Sequence, residues 1–340
     1  MKICIVKLSA MGDIIHAMVA LQFIKKHLPH AQIDWVVEES FKGVLENNPD
    51  IHAILCVNLK AIKQSKKALF TQYKQLKLYS KNHYDMIIDA QGLFKSALVS
   101  RIIGARVVVG FDKDSIREKI ASFFYTKKVN ITYSANTIDR NVKVLCEPLG
   151  ITVLPEDILA KRPFLYFGMG LENQYQTSKI IFVVGASKPN KVYPKEKFLK
   201  IAQLLGRKIL VIWGNAQEYE DALWLSCHSP LVELDSKGDL DSLKAKIAHA
   251  SLVIGGDTGP THMAWGLNVP SITIFGNTPE YRNSFITPTN KVIKSPTQVN
   301  PLKLDKNDFS IRDIDAQEIV DMAQDILGDS EKLCKNASFN

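Results

Sequence analysis

Short apolar runs alternate with longer amphipathic stretches along most of the chain. The short runs include residues 3–6, 33–37, 86–89, 180–184 and 209–213. They are nearly continuous in apolar character and end in small or polar loops, which is typical of strands buried on both faces of a parallel sheet. Between them, apolar residues spaced three and four apart predict amphipathic helices. This alternation predicts an α/β fold.

The alternation is interrupted between residues 146 and 179, where prolines and glycines are frequent. A segment of this composition is typical of a boundary between domains. The length of 340 residues also exceeds that of one typical domain. We therefore predict two Rossmann-like domains, residues 1–160 and 161–340, that face each other across a cleft. A helical pattern closes the second domain.

The stretch from residue 252 to residue 282 carries the clearest local signal. An apolar run ends at two glycines, and a loop at residues 257–259 leads into a short helix that we predict to begin at Pro260. Backbone N–H groups and a positive helix end at the end of a parallel strand suit a phosphate or diphosphate. Asp257 or Thr258 could equally be an ordinary helix cap, and the residues alone leave both interpretations open.

The charge balance is basic, with 43 Lys and Arg against 35 Asp and Glu, a net charge of +8 and a pI near 9.0. This excess favours an anionic partner, such as nucleic acid, an acidic membrane surface or an anionic substrate, although it also serves solubility. It is concentrated in residues 51–84, which contain seven lysines and no acidic residue. Such a face is either simply solvated or a surface for an anion or an acidic lipid.

The sequence lacks the motifs of several common catalytic sites. It has no GxxxxGK[ST] phosphate loop, no GxGxxG after a strand, no HExxH and no metal-spaced Cys/His cluster. We expect no metal ion and no cofactor. The protein's own groups would then neutralise a diphosphate, with Lys191, Ser187 and the helix start after Gly259 as candidates.

The cysteine pattern and the lack of a long apolar run indicate the compartment and the solubility of the protein. The five cysteines are an odd number without CxxC spacing, which favours a reducing compartment over a disulfide framework. No apolar run reaches the ~18 residues of a membrane span. We expect a soluble, cytoplasmic protein.

Five segments together carry a family resemblance. They are VKLSAMGDIIH at residues 6–16, DWVVEE at 34–39, DAQGLFKS at 89–96, GFDKDSIRE at 110–118 and GGDTGPTH at 255–262. These segments resemble the ADP-heptose:lipopolysaccharide heptosyltransferases, and the first two are closer to heptosyltransferase I than to heptosyltransferase II. The resemblance implies a GT-B fold with an acceptor-binding N-terminal domain and a C-terminal domain that binds the ADP-sugar. It also implies metal-independent transfer with inversion.

The resemblance places the donor site in the second domain. Glu218 would hold the ribose, Asp257 would bind sugar hydroxyls, and His262 would lie near the diphosphate or sugar unless it is a core histidine. The backbone at Gly238 would approach adenine, although the family often has a larger residue there. The implied donor-binding residues are Ala186, Ser187, Lys191, Glu218, Gly238, Asp257, Thr258, Gly259, Thr261 and His262. The pair Ala186-Ser187 departs from the threonine pair usual in the family.

Two residues are predicted to carry the chemistry. Inverting transfer needs a base for the acceptor hydroxyl, and Asp13 stands at a helix start where it could take that proton. The alternative for Asp13 is the N-cap of a helix over residues 14–26, and the two roles are compatible. Lys191 would meet the charge that develops on the ADP leaving group.

The acceptor implied by the resemblance is Kdo-lipid A at the cytoplasmic face of the inner membrane, with peripheral membrane contact and no nucleic acid. Candidate acceptor-binding cations are Lys7, Lys60, Lys63, Lys67, Arg117 and Arg140. Three other interpretations stay open, namely heptosyltransferase II, a GT-B sugar-nucleotide epimerase and a non-catalytic nucleotide-sugar binding protein. The sequence leaves the oligomeric state, the number of Kdo units, the lipid requirement and the choice between ADP-heptose and ADP-mannose undecided.

Overall fold

Two compact units make up the chain, Met1–Phe167 and Gly168–Asn340. The computed structural model describes residues 1–63, 65–171, 175 and 179–337, with the backbone alone at residues 63, 66 and 329–337. The boundary lies seven residues after the predicted end of the first domain at residue 160. Within the described residues, no helix is both long enough and apolar enough to cross a membrane.

The first unit contains six parallel strands, β1 (Lys2–Val6), β2 (Gln32–Glu38), β3 (Ala53–Val57), β4 (Tyr84–Asp89), β5 (Ala105–Phe111) and β6 (Lys127–Val129). Its helices are α1 (Met11–His27), α2 (Lys42–Leu45), α3 (Lys66–Tyr79), α4 (Phe94–Ile103), α5 (Thr137–Cys146) and α6 (Pro155–Leu159). The strand order is β3-β2-β1-β4-β5-β6. Because the strands are parallel, their carboxyl ends share one edge of the sheet, where such folds bind ligands.

The second unit repeats this plan with β7 (Ile180–Val183), β8 (Ile209–Ile212), β9 (Val232–Leu234), β10 (Leu252–Gly256), β11 (Ser271–Phe275) and β12 (Asn290–Lys294). Its helices are α7 (Lys195–Leu205), α8 (Ala216–His228), α9 (Leu240–Ala248), α10 (Gly259–Gly266), α11 (Glu280–Asn283) and α12 (Ala316–Ala337). The order is β12-β11-β10-β7-β8-β9, so β7 and β10 are neighbours although a long stretch of chain separates them.

The core of the second unit explains the apolar runs of its sequence. Every residue of β7, β8, β10 and β11 is buried, because helices cover both faces of the sheet. The rings of Phe182 and Phe198 lie 5.0 Å apart, and Tyr193 meets Phe198 edge-on at 5.3 Å. Burying a side chain of this size contributes about 1.5–3 kcal/mol. The Tyr193 hydroxyl also donates to the carbonyl of Ile314, just before α12.

The predicted α/β alternation is confirmed, with corrections at several helix ends. Helix α1 begins at Met11, so Asp13 lies in its first turn and is not the N-cap. Helix α10 begins at Gly259, one residue before the predicted start at Pro260. The sequence predicts that the helix after β8 begins at residue 220, but α8 begins at Ala216, because Asn215 caps it. The short strands β6, β9 and β12 escaped prediction because each contains charged residues and too few apolar ones.

Candidate active site

A buried carboxylate, that of Asp257, organises the loop after β10. Its Oδ1 lies 3.0 Å from Nε2 of His262. Its Oδ2 accepts from Lys191 Nζ at 2.8 Å, Thr278 Oγ1 at 2.9 Å and Asn283 Nδ2 at 3.3 Å. The Asp257 side chain is only 9% exposed. The structure therefore brings three predicted donor-site residues, Lys191, Asp257 and His262, into one polar cluster.

The electrostatics of this cluster keep Asp257 ionised. Burial alone raises the pKa of Asp257, but the hydrogen bond from His262 and the positive charge of Lys191 outweigh it and hold the pKa well below its usual range. For Nε2 of His262 to donate to the carboxylate, that nitrogen must carry a proton. Asp257 thus orients the imidazole and holds an ammonium group at the edge of the sheet.

The first turn of α10 opens at this cluster. Thr258 is the N-cap residue, and its side chain makes no capping hydrogen bond to the backbone; its hydroxyl lies 3.4 Å from that of Thr261. Thr258 therefore occupies the cap position, which is one of the interpretations that the sequence left open, but its hydroxyl does not cap the backbone. A Cβ at Gly255 would lie 2.5 Å from Cβ of Val183 and 2.8 Å from Oγ1 of Thr261. Only glycine lets the end of β10 pack this closely beside the helix start.

A cavity of about 550 Å³ lies beside the end of β7. Its wall includes Gly185, Ala186, Ser187, Glu218 and Arg312. A Cβ at Gly185 would lie 2.1 Å from Cδ of Glu218, so this glycine makes room for the carboxylate. Three predicted donor residues, Ala186, Ser187 and Glu218, therefore line one concave site of the size that small-molecule ligands occupy.

The carboxylate of Glu218 is held by the start of its own helix. Its Oε2 accepts from the backbone N–H of Gly214 at 2.6 Å, and its Oε1 accepts from Nδ2 of Asn215 at 2.6 Å. The side chain of Asn215 in turn accepts from the N–H of Glu218. Lys237 donates to the carbonyl of Gly214 at 2.9 Å, which brings the Gly238 loop next to the Glu218 turn. The backbone at Gly238 thus lies close to the loop that carries Glu218.

In the first unit, Asp13 lies in the loop-to-helix turn after β1. Its Oδ2 accepts from the N–H of Ala10 at 3.1 Å, and the side chain is half-buried. The preceding loop is held by Gln91, whose Oε1 accepts from the N–H groups of Leu8 and Ser9 at 3.0 and 3.1 Å. One oxygen of the Asp13 carboxylate is thus engaged by backbone, and the side chain stands at the carboxyl edge of the sheet.

Sequence reasoning missed the residues that position this loop. The buried carboxylate of Asp89 accepts from the N–H groups of Gln91 and Gly92 and from the hydroxyl of Tyr125 at 2.7 Å. Burial raises the pKa of Asp89, and these hydrogen bonds oppose the rise. The signal for them is the DAQG motif, in which a carboxylate ends an apolar strand and a glutamine and a glycine follow.

Two of the six candidate acceptor cations are buried. Lys7 donates to the carbonyl of Ala90 at 2.9 Å and to Oδ1 of Asn141 at 3.3 Å. Arg140 donates to the carbonyls of Ile131, Thr132 and Ser115 at 2.7–3.1 Å. These contacts fit a role in shaping the sheet edge better than direct contact with an acceptor, and the acceptor role of both residues stays a prediction.

Three of the other acceptor candidates are exposed. Lys60 follows β3 and lies over the ring of Phe41 at 5.6 Å. Lys67 lies in the first turn of α3, and Arg117 follows the loop that Arg140 holds. The side chain of Lys63 lies outside the part of the chain that the structure describes. Among the described residues, no group of three or more His, Cys, Asp or Glu side chains could hold a metal ion.

Comparison with known proteins identifies the family. The sequence profile of glycosyltransferase family 9 (heptosyltransferase) matches residues 73–309, more than half of the chain. The chain belongs to glycosyltransferase family 9. Its relatives include lipopolysaccharide heptosyltransferase 1 of Campylobacter coli, 38% identical over 97% of this chain and 100% of the relative. The enzyme of the same name from Escherichia coli K12 is 31% identical over 82% of this chain and 88% of its own length.

Solved structures of heptosyltransferases share the fold. The E. coli heptosyltransferase WaaC with ADP-2-deoxy-2-fluoro heptose matches with a TM-score of 0.79 at 24% identity, covering 96% of this chain and 99% of that one. E. coli ADP-heptose lipopolysaccharide heptosyltransferase II matches with a TM-score of 0.76 at 18% identity, covering 97% and 100%. The predicted GT-B fold is confirmed, and this chain is a glycosyltransferase of the heptosyltransferase family.

Proposed function

We propose that this chain is lipopolysaccharide heptosyltransferase I, which transfers L-glycero-D-manno-heptose from ADP-heptose to Kdo of Kdo-lipid A. The observation that carries the proposal is the 38% identity to the Campylobacter coli enzyme along 97% of this chain and the whole of that relative. The likeness of the opening VKLSAMGDIIH and DWVVEE segments to heptosyltransferase I supports the same branch of the family.

We propose that the second unit binds ADP-heptose. Glu218 in the cavity wall would accept from the ribose hydroxyls, and the backbone near Gly238 would approach adenine. Ser187, Lys191, Thr261 and the first-turn amides at Thr258 and Gly259 would receive the diphosphate, since a helix start and an ammonium group both favour anions. The related WaaC structure with ADP-2-deoxy-2-fluoro heptose supports a donor of this chemistry.

The contacts of Asp257 refine its proposed role. A carboxylate offers about four lone-pair positions, and four protein groups already meet this one. We infer that Asp257 mainly positions Lys191 and His262. Three of these contacts are made by Oδ2 and only the one to His262 by Oδ1, so a sugar hydroxyl that binds Asp257 would donate to Oδ1.

The chemistry we propose is a direct displacement with inversion and without a metal ion. The Kdo hydroxyl attacks the anomeric carbon of heptose, its proton passes to the carboxylate of Asp13, and the bond to ADP breaks. A base that takes this proton contributes roughly 10²–10⁴-fold to the rate. Lys191, oriented by Asp257, meets the negative charge that develops on the leaving diphosphate.

We propose Kdo-lipid A as the acceptor of the first unit, with peripheral contact at the cytoplasmic face of the inner membrane. The exposed cations Lys60, Lys67 and Arg117 are its first candidates for the carboxylates and phosphates of this acceptor. Lys7 and Arg140 would act indirectly, by holding the loops from which the site is built.

A transfer assay with ADP-heptose and Kdo-lipid A in EDTA tests the proposal. We expect ADP release and a lipid product heavier by one heptose. Asp13→Asn keeps an oxygen for the N–H of Ala10 but removes the base, so transfer should fall by about 10²-fold or more while ADP binding stays unchanged. Transfer only to an already heptosylated acceptor would indicate heptosyltransferase II. Undiminished transfer by Asp13→Asn would remove Asp13 from the mechanism.

A further inference from the structure

An exposed face of α3 combines apolar and basic side chains. Leu76 is buried and Tyr79 is half-buried, with its hydroxyl donating to the carbonyl of Cys56 in β3. These residues attach one face of the helix to the sheet. The same helix exposes Leu69, Phe70 and Tyr73 to solvent, and Phe70 is 60% exposed.

Lysines frame these apolar side chains. The ammonium group of Lys74 lies 4.5 Å from the ring centre of Phe70, and that of Lys77 lies 5.7 Å from the ring of Tyr73. No acidic residue occurs between residues 51 and 84 to offset them. Aromatic and aliphatic groups with lysines at their edge are typical of helices that lie in the interface of an anionic bilayer.

Neighbouring elements also expose apolar side chains. Helix α4 packs against both α3 and the 3₁₀ segment Lys119–Phe124. The exposed apolar side chains on these two elements are Phe94, Leu98, Ile120 and Phe123. Phe123 is 83% exposed. The acidic groups nearby are engaged, since Glu118 accepts from the N–H of Phe94 and Asp114 pairs with Lys119.

We propose that this face, Leu69, Phe70, Tyr73, Lys74 and Lys77 of α3 with Phe94, Leu98, Ile120 and Phe123, docks the protein on an anionic lipid surface. The apolar side chains enter the bilayer interface, and the lysines bind the anionic headgroups. A second copy of the chain is a poorer occupant, because two lysine-rich faces would repel each other.

The proposal assigns specific residues to the peripheral membrane contact of the proposed function, and it rests on that function for the identity of the membrane. Docking itself does not require heptose transfer. The proposal assigns docking to residues separate from the candidate acceptor cations. Docking would hold the enzyme at the surface in which a lipid-anchored acceptor lies.

Vesicle co-sedimentation of the full chain tests the docking. We expect binding to vesicles in which roughly a third of the lipid is phosphatidylglycerol, no binding to pure phosphatidylcholine, and loss of binding at high salt. The variants Phe70→Ser/Tyr73→Ser and Lys74→Glu/Lys77→Glu should each weaken binding by at least about tenfold.

Matched controls lie on exposed positions of the second unit. Leu204→Ser/Leu223→Ser removes two exposed apolar side chains there, and Lys200→Glu/Lys208→Glu makes the same charge reversal there. Both variants should bind vesicles like the parent chain. Thermal unfolding of all four variants shows whether the fold is kept. Equal binding by the docking-face variants and the controls would overturn the proposal. The proposal would also be overturned if the parent chain bound no vesicles but self-associated, and if Phe70→Ser/Tyr73→Ser abolished that self-association. The face would then bind a second copy of the chain.

Transfer assays separate this proposal from the proposed function. With a water-soluble Kdo acceptor that lacks acyl chains, the docking variants should keep kcat; with acceptor embedded in anionic vesicles, their KM should rise. If no chain transfers heptose to either acceptor, the proposed function fails, and the vesicle result still decides the docking face.

Discussion

The ammonium group of Lys191 lies 2.8 Å from Oδ2 of Asp257, although 66 residues separate the two along the chain. Lys191 ends a 3₁₀ turn after β7, and Asp257 follows β10. The two strands are neighbours in the sheet, so their carboxyl ends place the two residues side by side. This pair connects the stability of the second unit with its proposed donor site.

A double-mutant cycle measures the pair. Because each single change leaves a buried polar group without its partner, we expect Lys191→Met or Asp257→Asn alone to lower the free energy of unfolding by about 2–4 kcal/mol. The double variant should lose about 1–3 kcal/mol less free energy of unfolding than the sum of the two single losses. Urea unfolding measures this coupling. The exposed pair Lys42–Glu46 is the control, with a coupling of about 0.5 kcal/mol. Additive effects at Lys191 and Asp257 would contradict this prediction.

The lowered pKa of Asp257 predicts a pH dependence of stability. A carboxyl with a lowered pKa in the folded state contributes stability that is fully present above its unfolded pKa near 4, and that is lost as the pH falls further. The gap in urea midpoint between the parent chain and Asp257→Asn should therefore be constant from about pH 5 to 7 and shrink below about pH 4. The other carboxylates contribute equally to the stability of both chains, so their contribution cancels in the difference between the two midpoints. A difference in midpoint that grows as the pH falls would contradict the predicted direction of the pH dependence.

Gly185 is predicted to control access of Glu218 to the donor. A Cβ there would meet Cδ of Glu218 at 2.1 Å, so Gly185→Ala must displace the carboxylate. If Glu218 holds the ribose, Gly185→Ala should weaken ADP binding about as much as Glu218→Ala, by roughly tenfold to a hundredfold. Isothermal titration with ADP measures both. Gly328→Ala in α12, where an added Cβ meets nothing within 4 Å, should leave ADP binding unchanged. Unaltered affinity in Gly185→Ala would argue against a nucleotide contact at Glu218.

Arg140 and Lys60 should respond differently to substitution. Arg140→Ala would leave carbonyls of Ile131, Thr132 and Ser115 without their donor, and we expect a loss of about 2–4 kcal/mol in the free energy of unfolding. Arg140→Lys should restore little, because an ammonium group cannot reproduce the guanidinium geometry. Lys60→Glu lies on the surface, so it should raise the acceptor KM severalfold and leave the unfolding midpoint unchanged. An unchanged acceptor KM would remove Lys60 from the acceptor site.

Much of the fold was predictable because it depends on local patterns. The fully buried strands β7 and β10 are apolar over most of their length, so their positions could be read directly from the sequence. The strand β9, with the sequence Val-Glu-Leu, could not, because its strand character comes from pairing with β8 and not from its own residues. Predicted helix ends erred where a cap such as Asn215 was overlooked.

The sequence by itself determined the class of fold and the residue types of the proposed donor site, because apolar periodicity and the DTG motif are local properties of the chain. Tertiary structure alone decided that four groups converge on Asp257 and that Lys7 is buried against Asn141. Those contacts depend on the order in which distant strands pair, which is a property of the whole sheet and not of any one segment. Only the folded chain therefore shows which of the predicted polar residues meet one another and which face solvent.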